Sequence, residues 1–319
     1  MNMVESKKTM DKKRETKIDF SHITLDDKAL YEDYLSRDTE RGCEFSFANL
    51  YLWGRQCIAK THGHITIFSQ FDRRSVYPYP LGVGDKREVL DSIIADSLAR
   101  GIPCRITGLG ESAKATIERL YPGKFRFHTD EASYDYVYDI NDLADLRGRK
   151  YHSKRNHMTR FAEANPDYSV ETINDCNVEE VHAFLDSWYE SRLAETPDAD
   201  YHMERAAIRR ALRDFAPLEL VGLLLRTQEG VVAMTIASRL SQDTLDVHFE
   251  KARADIQGAY VAINCSLARY VRDRYPEIKY LDREEDMGLE GLRRAKRSYH
   301  PHHMIKKYWA CLLEDGYDY

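Results

Sequence analysis

Along this 319-residue chain the hydrophobic periodicity runs through one order of elements twice, and few architectures accommodate such a repeat. In the first half, helical spacing predicts helices over Thr24–Arg37 and Ser46–Arg55, followed by strand-like runs at 56–60, 64–71 and 75–79. A helix over 86–100, a strand at 104–107, a helix over 111–121 and strands at 125–129 and 134–138 complete it. In the second half, Asn177 with Glu180 three residues on marks a helix start, and Val178, Val181, Leu185, Trp188 and Arg192 share its face. A second helix carries Met203, Ala207, Ala211 and Phe215 and is stopped by Pro217. Runs at 218–226, 231–240 and 244–250, joined by Gln228-Glu229-Gly230 and Ser241-Gln242-Asp243, read as hairpin-linked strands. A long helix from Gly258 to Arg274, a strand at 278–281, a helix after Asp286 and a last strand from His302 to Leu313 follow. Helices that interrupt a mostly antiparallel meander argue for an α+β class. The expected organisation is a disordered tail over 1–17, a first domain over 18–145 and a second over 146–319.

Composition narrows the setting. A hydrophobic share of 43% beside 31% charged residues is that of a globular protein, and the formal charge of −6 requires any anion site to be local. The six cysteines lie far apart with no Cys-x-x-Cys, as in reduced, buried thiols, and residues 1–17 hold no apolar run for a signal peptide. No apolar run reaches the length of a membrane span, so a cytoplasmic location is expected.

Three segments carry the candidate chemistry. Tyr280 to Pro301 begins as a strand, turns through the acids Asp282 to Asp286, and enters a helix bearing Gly288, Gly291, Arg293, Arg294, Lys296 and Arg297. The helix dipole accounts for acids at its start and cations at its end. It does not account for the glycines, each costing roughly 1 kcal/mol against Ala inside a helix. Gly288, Gly291 and Ala295 would make a bare stripe open to a ligand. Leu146 to Ala162 holds six Arg or Lys and no acid, and so does Arg293 to Lys307. A solvated basic face explains much of this, whereas nearby aromatics such as Tyr299 and Trp309 suit nucleic-acid or phosphate contact. Arg155 borders the apolar stripe Tyr151, Met158 and Ala162, so a carboxylate partner is expected for it in Glu285 or Asp286. His300, His302 and His303 lack further ligands at metal spacing, and no metal site is assigned. No Ser-His-Asp order, Walker loop or His-Glu-x-x-His occurs.

The doubled element order resembles two tandem GNAT-like acyltransferase domains. The corners that would hold a cofactor pyrophosphate in such a fold, Arg253 to Ala259 and Leu81 to Gly84, lack the usual Gln/Arg-x-x-Gly-x-Gly/Ala pattern. The segments 146–157 and 282–301 resemble the two signatures of the phosphatidylglycerol lysyltransferase C-terminal-domain-like family, over about Ile18 to Leu313. That resemblance, shared with Fem-type transferases, implies movement of an aminoacyl group from aminoacyl-tRNA to an amine or hydroxyl acceptor. It places Lys154, Arg155, Asn156, Glu285, Asp286, Arg293, Lys296 and Tyr299 on motif positions. Glu285 or Asp286 would act as base or hold the acceptor's ammonium, and the others would bind substrate, with Arg293 and Lys296 on its phosphate or carboxylate. The membrane-embedded N-terminal part of lipid-modifying members has no counterpart in this sequence, which leaves open whether the acceptor is a lipid or a peptide. Two alternatives stand beside this reading: an acyl-CoA-dependent N-acyltransferase, and a non-catalytic binding module on the same fold.

Overall fold

A computed structural model describes residues 17–39, 42–71, 74–197 and 200–313. The chain divides into two compact units, one holding residues up to Ser133 together with those from Lys306 onward, the other spanning Tyr134–Ile305. The domain boundary expected near Leu146 therefore falls at Tyr134. Except for Lys17, the tail expected over 1–17 lies outside the described residues.

The first unit contains helices α1 (Lys28–Arg37) and α2 (Phe47–Trp53) and strands β1 (Ser21–His22), β2 (Gln56–Thr61), β3 (His64–Phe71) and β4 (Arg74–Pro78). Helix α3 (Arg87–Arg100), β5 (Arg105–Leu109), α4 (Glu111–Leu120), β6 (Phe125–Thr129) and β14 (Tyr308–Leu312) complete it. Its sheet runs β1-β2-β3-β4-β5-β14-β6, with one parallel pair, β4 with β5, among antiparallel ones. Asp96 on α3 is fully buried and anchors this unit: it accepts from the Tyr77 hydroxyl at 2.6 Å, Arg100 Nε at 2.7 Å and the Ile18 amide at 2.8 Å.

In the second unit come β7 (Asp135–Asp139), α5 (Ile140–Asp145), α6 (His152–Ala164), β8 (Ser169–Thr172), α7 (Val178–Glu195) and α8 (His202–Arg213). Strands β9 (Val221–Thr227), β10 (Gly230–Arg239) and β11 (Thr244–Ala252) form the meander. They lead to α9 (Ala259–Arg274), β12 (Tyr280–Asp282), α10 (Glu290–Arg297) and β13 (His303–Ile305). The sheet order is β13-β7-β12-β11-β10-β9-β8, again with a single parallel pair, β11 with β12, bridged by the crossover helix α9. Two sheets of this pattern, each an antiparallel meander closed by one helix-crossed parallel pair, make the chain an α+β protein of two GNAT-like units.

Helix α9 is buried almost all round from Ala259 to Ala268, as a crossover helix packed on a sheet must be. It covers Leu223, Leu225, Ala233, Ala237, Leu245 and Val247, apolar side chains whose burial contributes about 1.5–3 kcal/mol each for the larger ones. Three sequence expectations fail here. The short strand β8 is not expected. The run His302–Leu313 is not one strand: β13 pairs with β7 in the second unit, whereas β14 lies between β5 and β6 in the first. Strand β7 belongs to the second sheet rather than the first, between β13 and β12, and its burial on both faces over Asp135–Tyr138 marks it as interior.

Candidate functional site

Strand β11 carries the feature that builds the site. Across β10 its register skips His248, so that Val247 faces Ala237 and Phe249 faces Ile236. Before this bulge Leu245 and Val247 point into the core under α9; after it the even-numbered Glu250 and Ala252 take that face. A carboxylate is thereby set against the middle of a buried helix.

Glu250 meets a matching set. Its Oε1 accepts from Arg283 Nη2 at 2.7 Å, and its Oε2 accepts from the Asn264 amide of α9 at 3.2 Å. The Arg283 and Glu250 side chains are 13% and 9% exposed, so water screens this pair little. The Arg283 guanidinium lies over the rings of Tyr299, 4.9 Å from its centroid, and Tyr138, 5.6 Å from its centroid. Lys154 Nζ, reaching in from α6, sits 3.8 Å from the Tyr299 centroid and has no hydrogen-bond partner among the described residues. Burial, and then the Arg283 charge, push the Lys154 ammonium down to about 8, with Glu250 opposing. Arg283 Nη1 and Asn264 Oδ1 are buried with no hydrogen-bond partner among the described residues. Two cations thus share one carboxylate around a donor and an acceptor that nothing among the described residues satisfies, an arrangement suited to an incoming carbonyl, carboxylate or phosphate oxygen.

Of the expected site residues, the structure brings only Lys154 and Tyr299 into this cluster. Asp286 is fully buried and already bound: Arg293 holds it through Nε at 2.7 Å and Nη2 at 2.9 Å, the Tyr136 hydroxyl at 2.6 Å and the Gly288 amide at 2.8 Å. The Arg293 guanidinium keeps its carboxyl far below the usual range, which leaves it a poor base. Lys296 is buried and donates to the carbonyls of Arg283, Glu284 and Glu285, so it ties the acidic corner into a loop. Glu285 is half-buried and its carbonyl is taken by that lysine. Arg155 finds no carboxylate among the described residues; its Nη1 donates to the carbonyl oxygens of Leu146 and Gly148, because it caps the turn entering α6. Asn156 is exposed and touches His152. Gly288 precedes α10 at φ +74°, and Gly291 and Ala295 face solvent, so the bare stripe is no wall of a cleft. Arg283, Glu250 and Asn264 were not singled out by the sequence reading.

At the cofactor corner of the second unit the backbone of α6 comes close to Gly258. A Cβ on Gly258, which begins α9 at φ +87°, would lie 2.4 Å from the His157 carbonyl oxygen, so the α6 backbone packs against the start of that helix. In the first unit the Gly82 amide is taken by Asp38 Oδ2 at 2.8 Å. Elsewhere, His302 Nδ1 and His303 Nδ1 stand 2.9 Å apart.

A tandem pair of GNAT-like units with a buried cationic cluster under the crossover helix defines a protein of the acyltransferase-fold class. Residues 37–311 match the family described as phosphatidylglycerol lysyltransferase, C-terminal, and the chain belongs to it. A conserved protein of unknown function from Bacteroides thetaiotaomicron is 33% identical, with a TM-score of 0.88 over 93% of this chain and 100% of that one. The L-PGS structure from Bacillus licheniformis is 14% identical at TM-score 0.64, covering 89% and 91% of the two chains, and FemX is 10% identical at TM-score 0.59, covering 93% and 98%. At these identities the last two likenesses concern the fold. Among curated proteins, an uncharacterised protein of Mycoplasmoides gallisepticum is 24% identical over 187 residues, 57% of this chain and 58% of that protein's length. No helix among the described residues is long and apolar enough to cross a membrane.

Proposed function

We propose that the second unit transfers an aminoacyl group from an aminoacyl ester, such as aminoacyl-tRNA, to an amine or hydroxyl acceptor. The observation that supports this most is the unsatisfied pair Arg283 Nη1 and Lys154 Nζ beside Glu250. In this reading Arg283 Nη1–H donates to the ester carbonyl and to the oxyanion that develops on it, a donor held in place before the reaction. Lys154, with its pKa near 8, takes the proton released by the acceptor in its neutral form. The acceptor nitrogen or oxygen forms a bond to the carbonyl carbon, the ester C–O bond breaks, and the departing ribose oxygen takes the proton that Lys154 had accepted. Glu250 fixes the guanidinium, and Asn264 Oδ1 is placed to accept from the substrate's α-ammonium. Family membership supports acyl transfer, and the close approach of α6 to Gly258 at the helix start disfavours acyl-CoA as donor.

The test presents tRNA charged with labelled amino acids, and labelled acyl-CoA in parallel, with primary amines and hydroxyl compounds as acceptors. Label should leave the tRNA for a product, and Arg283→Met and Lys154→Met should each slow this by about 10²-fold or more. Transfer from acyl-CoA alone, or transfer unchanged in both variants, would overturn the reading.

A further inference from the structure

Arg283 and Glu284 are neighbours in the chain but reach different residues of β11: Arg283 binds Glu250, and Glu284 approaches His248. We propose that Asp246, His248 and Glu284 form a binding site for a divalent metal of the zinc class. His248 Nδ1 lies 3.4 Å from Asp246 Oδ2 and 3.4 Å from Glu284 Oε1, and one ligand atom from each residue lies within 4.8 Å of the others. A spacing of 3.4 Å is long for an N–H donating to a carboxylate, which prefers about 2.7–3.2 Å. It matches the edge of a tetrahedron with metal–ligand bonds of about 2.0–2.1 Å, roughly 3.3 Å. One imidazole and two carboxylates are also a donor set that zinc accepts in sites with an open fourth position.

The surroundings fit the same purpose. The second ring nitrogen of His248, Nε2, is 2.8 Å from Ser238 Oγ, the outer partner that orients a metal-bound imidazole and fixes its tautomer. When Nε2–H donates to Ser238, Nδ1 turns a lone pair toward two carboxylates, and a cation between them reconciles the three. Asp282 stands next to Asp246 in the parallel register and accepts the Glu284 amide at 2.8 Å, which fixes where Glu284 begins. The His248 and Asp246 side chains are 2% and 0% exposed, whereas Glu284 at 22% leaves a way in for the ion and for a fourth ligand. The bulge that carries Glu250 to the core thus places His248 at a second site, with no residue in common with the Lys154–Arg283 cluster.

The competing arrangement is an imidazolium shared between two carboxylates, with no metal. The experiment strips the full chain with a chelator and titrates it with zinc and, separately, with cobalt(II). One equivalent should bind and raise the Tm, and cobalt should show the intense visible bands of a four-coordinate site. His248→Ala and Glu284→Gln should each weaken binding by more than about 100-fold, and Ser238→Ala by about 10–100-fold. The double variant H302A/H303A, which removes the exposed histidine pair, should bind as the parent does. Absence of stoichiometric binding, a six-coordinate cobalt spectrum, or loss of binding in H302A/H303A would overturn the proposal. If His248→Ala fails to fold, Glu284→Gln decides, because that carboxylate is partly exposed; undiminished binding in it would also overturn the proposal.

Discussion

Arg283 Nη2 lies 2.7 Å from Glu250 Oε1, a bond between the end of β12 and the strand beside it in the second sheet. The parallel pairing of β11 and β12 covers only Thr244–Asp246 with Tyr280–Asp282, so this ion pair spans the place where ladder hydrogen bonds have stopped. Replacing Glu250 by Gln would leave Arg283 and Lys154 facing each other without a carboxylate. We expect a loss of about 3–5 kcal/mol, the usual cost of breaking one side of a buried pair, measured by denaturant unfolding. The Lys154 ammonium should then titrate lower than in the parent, because Glu250 is the group that raises it. Carbon-13 methylation of lysines followed by NMR titration would check this, and an unchanged Lys154 titration would count against the cluster.

Lys154 also links stability to pH. Its folded pKa, about 8, is below its value in the unfolded chain, about 10.4, so between these values the unfolded state binds more protons and stability rises with pH. Below about pH 8 the parent carries the full cost of a buried ammonium. Lys154→Met should therefore be more stable than the parent at pH 7, and the gap should close as pH rises from about 8 toward 10. Parallel thermal melts of the two proteins give the difference directly, and a constant gap would contradict it.

Asp286 acts in the opposite direction. Its carboxyl is depressed by Arg293, so the stability it contributes is present above the unfolded value, about 3.9, and is lost as pH falls toward the folded one. Arg293→Ala should cost about 3–5 kcal/mol near neutral pH, since it leaves the buried Asp286 carboxylate without its cation, and Asp286→Asn should cost less, because Arg293 is 28% exposed. At pH 3 the difference between parent and Asp286→Asn should shrink. Unfolding curves at the two pH values test it.

Two glycines separate close approach from open space. Gly258→Ala would drive a Cβ to 2.4 Å from the His157 carbonyl oxygen at φ +87°, and a severe loss of stability should follow. Gly291→Ala, inside α10 with nothing within 4 Å of the new Cβ, should instead stabilise by up to about 1 kcal/mol. Melting temperatures moving in opposite directions would bear out both.

The element order and α+β class were legible because both rest on local periodicity, which the long amphipathic and buried runs carry strongly. Lys154 and Tyr299 stood out only through the two family-like segments that hold them, because a solvated basic face explained the charge there as well. Arg283 was hidden by its neighbours: among Asp282, Glu284, Glu285 and Asp286 it reads as an ordinary counter-charge. Glu250 and Asn264 carry no local mark at all. Glu250 reaches the core only because β11 slips by one residue at His248, and a register slip depends on the partner strand, not on the strand's own residues. Asp286 misled for the complementary reason, because a free carboxylate and one gripped by an arginine seven residues on look alike in one dimension.

Strand β14 gives the first unit a history. The Thr129 hydroxyl donates to the Lys307 carbonyl at 2.8 Å across 178 residues of chain, and β5 and β6 meet only through the strand that follows Lys307. A ribosome adding about 5–20 residues per second needs on the order of ten seconds or more to cover that interval. Through all of it β5 and β6 are exposed edges, and the continuous second unit has its whole sheet available first. Of the two units, the one whose synthesis starts earlier is thus the one that finishes folding later, and a nascent chain stalled before residue 308 should display the sticky edges that chaperones bind.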